Sequence, residues 1–93
     1  MKSIFIGTRL EALKVLILFS KVELIITKKN SFVDKYTDKT KFRIIYINSK
    51  NKVNHFRKIS NGDQKIILSA GFPYLIPKKY LKKNKIIINS HPS

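Results

Sequence analysis

Five short apolar runs punctuate the chain: SIFIG (3–7), VELIIT (22–27), FRIIYIN (42–48), KIILSAG (65–71) and KIIIN (85–89). Their length and β-branched content predict strands. Several are nearly continuous in apolar residues instead of alternating, the pattern of parallel strands covered on both faces. Between the first two runs, residues 9–20 place Leu10, Leu13, Leu16 and Ile17 on one helical stripe and turn Arg9, Glu11 and Lys14 away. Thr8 with Glu11 three positions later reads as an N-cap and capping box. Residues 50–60 carry Val53, Phe56 and Ile59 at intervals of three and end at Asn61-Gly62-Asp63, a strong stop. Residues 78–83 predict a turn or two of helix opened by Pro77, and the polar stretch 28–41 reads as a loop. The order β-α-β-loop-β-α-β-α-β predicts an α/β fold, an open parallel Rossmann-like sheet of about five strands with flanking helices, because parallel neighbours need crossovers of about a dozen residues.

Size and composition narrow the classes. At 93 residues the chain forms one domain at most. No apolar run approaches the roughly 20 residues of a bilayer span, and the N-terminus lacks the apolar core and cleavage site of a secretory signal. There is no Cys, hence no disulfide framework or thiolate metal site, and a cytoplasmic protein is expected. The 20 Lys and Arg against 5 acidic residues give a net charge of +15, which draws anionic partners. Yet 17 of the 20 cations are Lys and only 3 are Arg, and Lys, Ile and Asn make up 39 of the 93 residues. Compositional drift toward these three produces the same charge with no nucleic-acid partner, and Arg is the residue that phosphate and base recognition favours.

In a parallel sheet, ligands bind outside the carboxyl ends of the strands, here Gly7 and Thr8, Thr27, Asn48, Ser69 to Gly71, and Asn89 with His91. Turn duty accounts for most of these small residues. The turn GTRLEAL lacks G-x-G-x-x-G, which disfavours dinucleotide binding. Gly7 either serves the turn or lets an anion approach the first helix N-terminus. His55 reads as a surface or half-buried side chain, and no His, Asp or Glu pair has metal-ligand spacing. In SAGFPYLIP (69–77), Phe72, Tyr74, Leu75 and Ile76 lie between two prolines; they either wall a site for a flat heteroaromatic ring or fold back on the core. In the last run, Asn89 and His91 share one face of a strand, and Pro92 ends that strand. An Asn amide donates to a developing oxyanion and a His exchanges protons near neutrality, a pairing suited to acyl transfer.

Together SIFIGT, LSAGFPYLIP and IINSHPS resemble the N-terminal half of the formyltransferase domain found in methionyl-tRNA formyltransferase, glycinamide ribonucleotide formyltransferase and sugar N-formyltransferases. The resemblance spans residues 1–93 and makes them the N-terminal part of such a domain, with a sheet incomplete relative to the family's. It implies transfer of a formyl group from 10-formyltetrahydrofolate to an amine. Asn89 would stabilise the oxyanion, His91 would assist proton transfer, and Phe72, Tyr74, Leu75 and Ile76 would line the pterin pocket. GTRLEAL lacks the phosphate turn of the purine-pathway members and looks closer to the methionyl-tRNA and amino-sugar branches, which extends the expected partners to tRNA.

The family's catalytic Asp lies well beyond the N-x-H segment, and none of Glu11, Glu23, Asp34, Asp38 and Asp63 matches its position. A truncated or split protein, inactive alone, is therefore expected, with a raw sheet edge near its last strand that invites self-association or a complementing chain. The alternative is a small basic module that binds nucleic acid through Lys78, Lys79, Lys82, Lys83 and Lys85, or a non-catalytic interaction module.

Overall fold

A computed structural model describes residues 1–71, 76–80 and 85–90. Strands β1 (Lys2–Gly7), β2 (Lys21–Thr27), β3 (Ile44–Tyr46), β4 (Ile66–Ala70) and β5 (Ile86–Ser90) form one parallel sheet in the order β3-β2-β1-β4-β5. The chain steps outward from β1 to β2 and β3, then crosses back to build β4 and β5 on the other side. Right-handed crossovers put the connections of the two halves on opposite faces, and the core packs accordingly.

On one face, Leu13 and Leu16 of α1 (Leu10–Phe19) and Val33 of α2 (Phe32–Tyr36) pack with Phe5, Ile25 and Leu68 of the sheet. On the other, Phe56 and Ile59 of α3 (Lys52–Asn61) pack with Ile4, Ile6, Leu24, Ile26 and Ile67. Ile4, Phe5 and Ile6 of the central strand are buried in succession, which is why these segments read as continuous apolar runs. The predicted α/β parallel sheet is the observed one.

The structure corrects three local expectations. Thr8 does not cap α1: the N-cap is Arg9, with no side-chain cap bond, and the Thr8 hydroxyl donates to Gly71 O instead (3.0 Å). Residues 28–41 are not all loop. Ser31 caps the five-residue helix α2 by accepting from Asp34 N at 3.1 Å, and the Asp34 carboxylate accepts from Asn30 N at 2.8 Å. The buried stripe of α3 is rotated from the expected one, with His55, Phe56, Ile59 and Ser60 inside and Val53 outside. Of the third predicted helix, Lys78–Tyr80 forms a 3-10 turn; residues 81–84 lie outside the described residues.

β5 is the edge strand beyond β4, and alternate residues on it differ in cover. Ile87 is half-buried against the α3-side core, whereas Ile86 and Ile88, pointing to the α1 side, are 55% and 49% exposed. Among the described residues no helix is long and apolar enough to cross a membrane.

Candidate functional site

The switch point of the sheet lies between β1 and β4, and backbone closes it. Gly7 has φ of +144°, and the amides of Thr8 and Arg9 both donate to Ala70 O, at 3.0 and 3.3 Å. A Cβ at Gly7 would fall 1.8 Å from that oxygen. The missing side chain therefore serves a crossing of two strand ends, and the Thr8 and Arg9 amides are turned to Ala70, not to an incoming anion. Gly71 takes the left-handed φ of +70° that the same latch requires.

At the β5 end, the register pairs Asn89 with Ser69 of β4. Asn89 shares its face with Ile87, two residues before it, so its carboxamide projects on the α3 side. It is exposed. Ile76, returning from the segment after β4, is half-buried and packs into the α3-side core that Ile87 also joins. Two of the predicted site residues, Asn89 and Ile76, thus come to one side of the sheet. His91, Phe72, Tyr74 and Leu75 lie outside the described residues.

No carboxylate accompanies Asn89 among the described residues. Glu11 is on α1, across the sheet. Lys2 bridges Asp63 at 3.1 Å and Glu23 at 3.8 Å at the amino edge, where β1 starts. Asp34 and Asp38 belong to the β2–β3 side. Nor do three His, Cys, Asp or Glu side chains come together as metal ligands among these residues.

A polar network that sequence reasoning missed ties together the ends of β2 and β3. Asp34 is buried and accepts from Asn30 N, from the Tyr46 hydroxyl at 2.7 Å and from the Lys39 ammonium at 3.2 Å. The Asn30 amide first, then the Tyr46 hydroxyl, hold its carboxyl below the usual range; the same bond to Asp34 pushes the Tyr46 phenol up. Tyr46 O accepts from Asn51 Nδ2 at 3.2 Å and from His55 Nε2 at 3.0 Å. His55 is accordingly the Nε2–H tautomer. It is buried, not on the surface, its Nδ1 has no partner among the described residues, and burial pushes its pKa down. One signal of this network was present in the sequence: Ser31-x-x-Asp34 is itself a capping pattern.

Of the basic face proposed for 78–85, one member is engaged by the fold. Lys85 is half-buried and its Nζ donates to Gly62 O and Gln64 O at 2.7 and 2.9 Å. Lys78 and Lys79 are exposed, and Lys82 and Lys83 lie outside the described residues. Comparison with known proteins found no matching family model, no matching curated protein and no matching solved structure.

Proposed function

We propose that the chain is the amino-terminal part of a formyltransferase-like domain that binds 10-formyltetrahydrofolate and presents its formyl group to an amine of the methionyl-tRNA or amino-sugar type. The observation that carries this reading is the exposed Asn89 on β5, at the carboxyl edge and on the same side of the sheet as Ile76. Asn89 lies on β5, and the SAGFPYLIP segment starts at the end of β4, its parallel neighbour.

The folate supplies the formyl carbon. As the amine attacks that carbon and a C–N bond forms, the Asn89 amide donates to the formyl oxygen that gains charge. His91 in its neutral form accepts the proton the amine sheds and returns it to the departing folate nitrogen as its bond to carbon breaks. Ile76, half-buried on this side of the sheet, shields it from water.

No carboxylate among the described residues accompanies Asn89, whereas the formyltransferase resemblance implies an Asp that orients His91. Activity is therefore expected only with a complementing polypeptide, and the bare α1-side face of β5 is where a second copy or such a partner would dock. The setting is cytoplasmic, where folate and both classes of amine are present.

The test is a titration of the isotopically labelled chain with tetrahydrofolate, followed residue by residue in amide spectra. Saturable shifts at Gly71, Ile76 and Asn89, weakened in Asn89→Ala only when a formylated folate replaces the unformylated one, support the reading. Saturation without shifts at these residues, or no saturation, overturns it.

A further inference from the structure

The amino edge of the sheet, opposite the site just described, carries a cleft of about 590 Å³ between α3 and the strand starts. This is the size of a small-molecule site. Its floor is Ile4 of β1 and Leu24 of β2, both of the α3-side core. Arg57 and Lys58 rise from the end of α3, and Arg43 leads into β3.

Compositional drift explains lysines, not arginines. Of the three arginines in the chain, two stand at this one cleft. All three cations are exposed, and the supports beneath them are rigid: Arg57 and Lys58 sit on a helix, and Arg43 O accepts from Ile25 N at 2.9 Å. Two planar guanidiniums and an ammonium over an apolar floor suit a phosphate group, which guanidinium forks bind bidentately.

The other wall is an acceptor wall. Gln64 Nε2 donates to Glu23 Oε1 at 2.8 Å, which holds the carboxylate in place together with Lys2. Gln64 Oε1 is buried with no partner among the described residues, and a buried acceptor without a donor is costly. The turn that bears it is fastened by Lys85, through Gly62 O and Gln64 O. Gly62 makes room for it, since a Cβ there would lie 2.1 Å from Gln64 Oε1. A ligand that fits both walls is anionic at one end and rich in N–H or O–H donors at the other.

We infer that this cleft binds a phosphate monoester of nucleotide size, its phosphate on Arg43, Arg57 and Lys58 and its hydroxyl or amino groups on Gln64 Oε1 and Glu23. The site is independent of the formyl-transfer reading and lies at the other end of every strand.

Amide-resolved titrations with adenosine 5′-monophosphate, adenosine and inorganic phosphate test it. The monophosphate is expected to shift Arg43, Gly62 and Gln64 saturably, and to bind at least about tenfold more tightly than either fragment. Arg43→Gln with Arg57→Gln, both exposed positions that the fold tolerates, should abolish saturation. Gly62→Ala, which displaces the Gln64 carboxamide, should weaken the monophosphate while leaving inorganic phosphate unchanged. Lys78→Gln with Lys79→Gln removes the same charge outside the cleft and should change nothing. Equal losses in the two double variants overturn the site in favour of general charge attraction. So does affinity that climbs with RNA length and falls steeply with salt, which would assign these cations to a polyanion surface. Absence of saturation for the monophosphate overturns it outright.

Discussion

Gly7 and Ala70, 63 positions apart, meet backbone to backbone where β1 and β4 end, so closely that a Cβ on Gly7 would lie 1.8 Å from Ala70 O. That oxygen also accepts the Thr8 and Arg9 amides. The two halves of the sheet are latched at this point, and a side chain would pry them apart.

Gly7→Ala is therefore expected to cost about 3 kcal/mol, combining a φ of +144° with a clash against backbone that cannot rotate away. Gly71→Ala should cost less, about 1–2 kcal/mol, because the atoms it would meet first belong to the Arg9 and Thr8 side chains. Urea unfolding of both variants checks the ranking; equal costs would mean the latch is not rigid.

The buried Asp34 carboxylate organises the β2–β3 side. Asp34→Ala is expected to lose on the order of 2 kcal/mol, the worth of hydrogen bonds to a charged acceptor. Its carboxyl is held below the ordinary range in the fold, so the unfolded chain takes the proton first. The stability it gives is complete above about pH 4 and drains away as pH falls through the depressed folded value. Unfolding free energies measured down through this window should decline less steeply in the Ala variant than in the parent.

His55 predicts a second acid window. Burial holds it neutral, with Lys58 adding a smaller repulsion to its charged form, whereas the unfolded imidazole accepts a proton near pH 6.5. As pH drops below that value the unfolded state binds the proton first, and stability falls until the folded pKa is reached. His55→Phe, which keeps the packing and removes the titration, should flatten the fall of stability that begins below about pH 6.5. The other His, outside the described residues, serves as the control through His91→Phe.

The bare side of β5 predicts self-association. Ile86 and Ile88 present apolar surface on an edge strand, a combination that invites pairing. Ile86→Lys with Ile88→Lys should raise the concentration needed for association at least about tenfold, as read by sedimentation. A chain that stays monomeric at every concentration contradicts the expectation.

Sheet and element order were legible because the strands are short, nearly continuous apolar runs, and β1, β2 and β4 are covered on both faces. Helix faces were less so. In α3, Val53 and His55 compete for one inward position, and His55 takes it because its ring reaches Tyr46 O, a long-range bond that no local spacing encodes. In the first turn, Thr8 looked like a cap because its partner, Gly71, is 63 residues away. Asn89 lies on β5 on the face of Ile87, and its expected neighbour His91 lies outside the described residues. The amino-edge cleft had no local signature, since Glu23, Arg43, Arg57 and Gln64 come from four separate segments that only the crossovers unite.

The strand order also sets the timetable of the chain's birth. β1 pairs with β2 as soon as residue 27 is made, but its other neighbour, β4, begins at residue 66. At roughly 5–20 residues per second, the central strand of the sheet leaves the ribosome and waits some seconds with one side unzipped. For that interval the nascent chain offers Ile4, Phe5 and Ile6 to whatever passes, so its yield in the cell will follow the supply of holding chaperones more closely than the stability of the finished sheet.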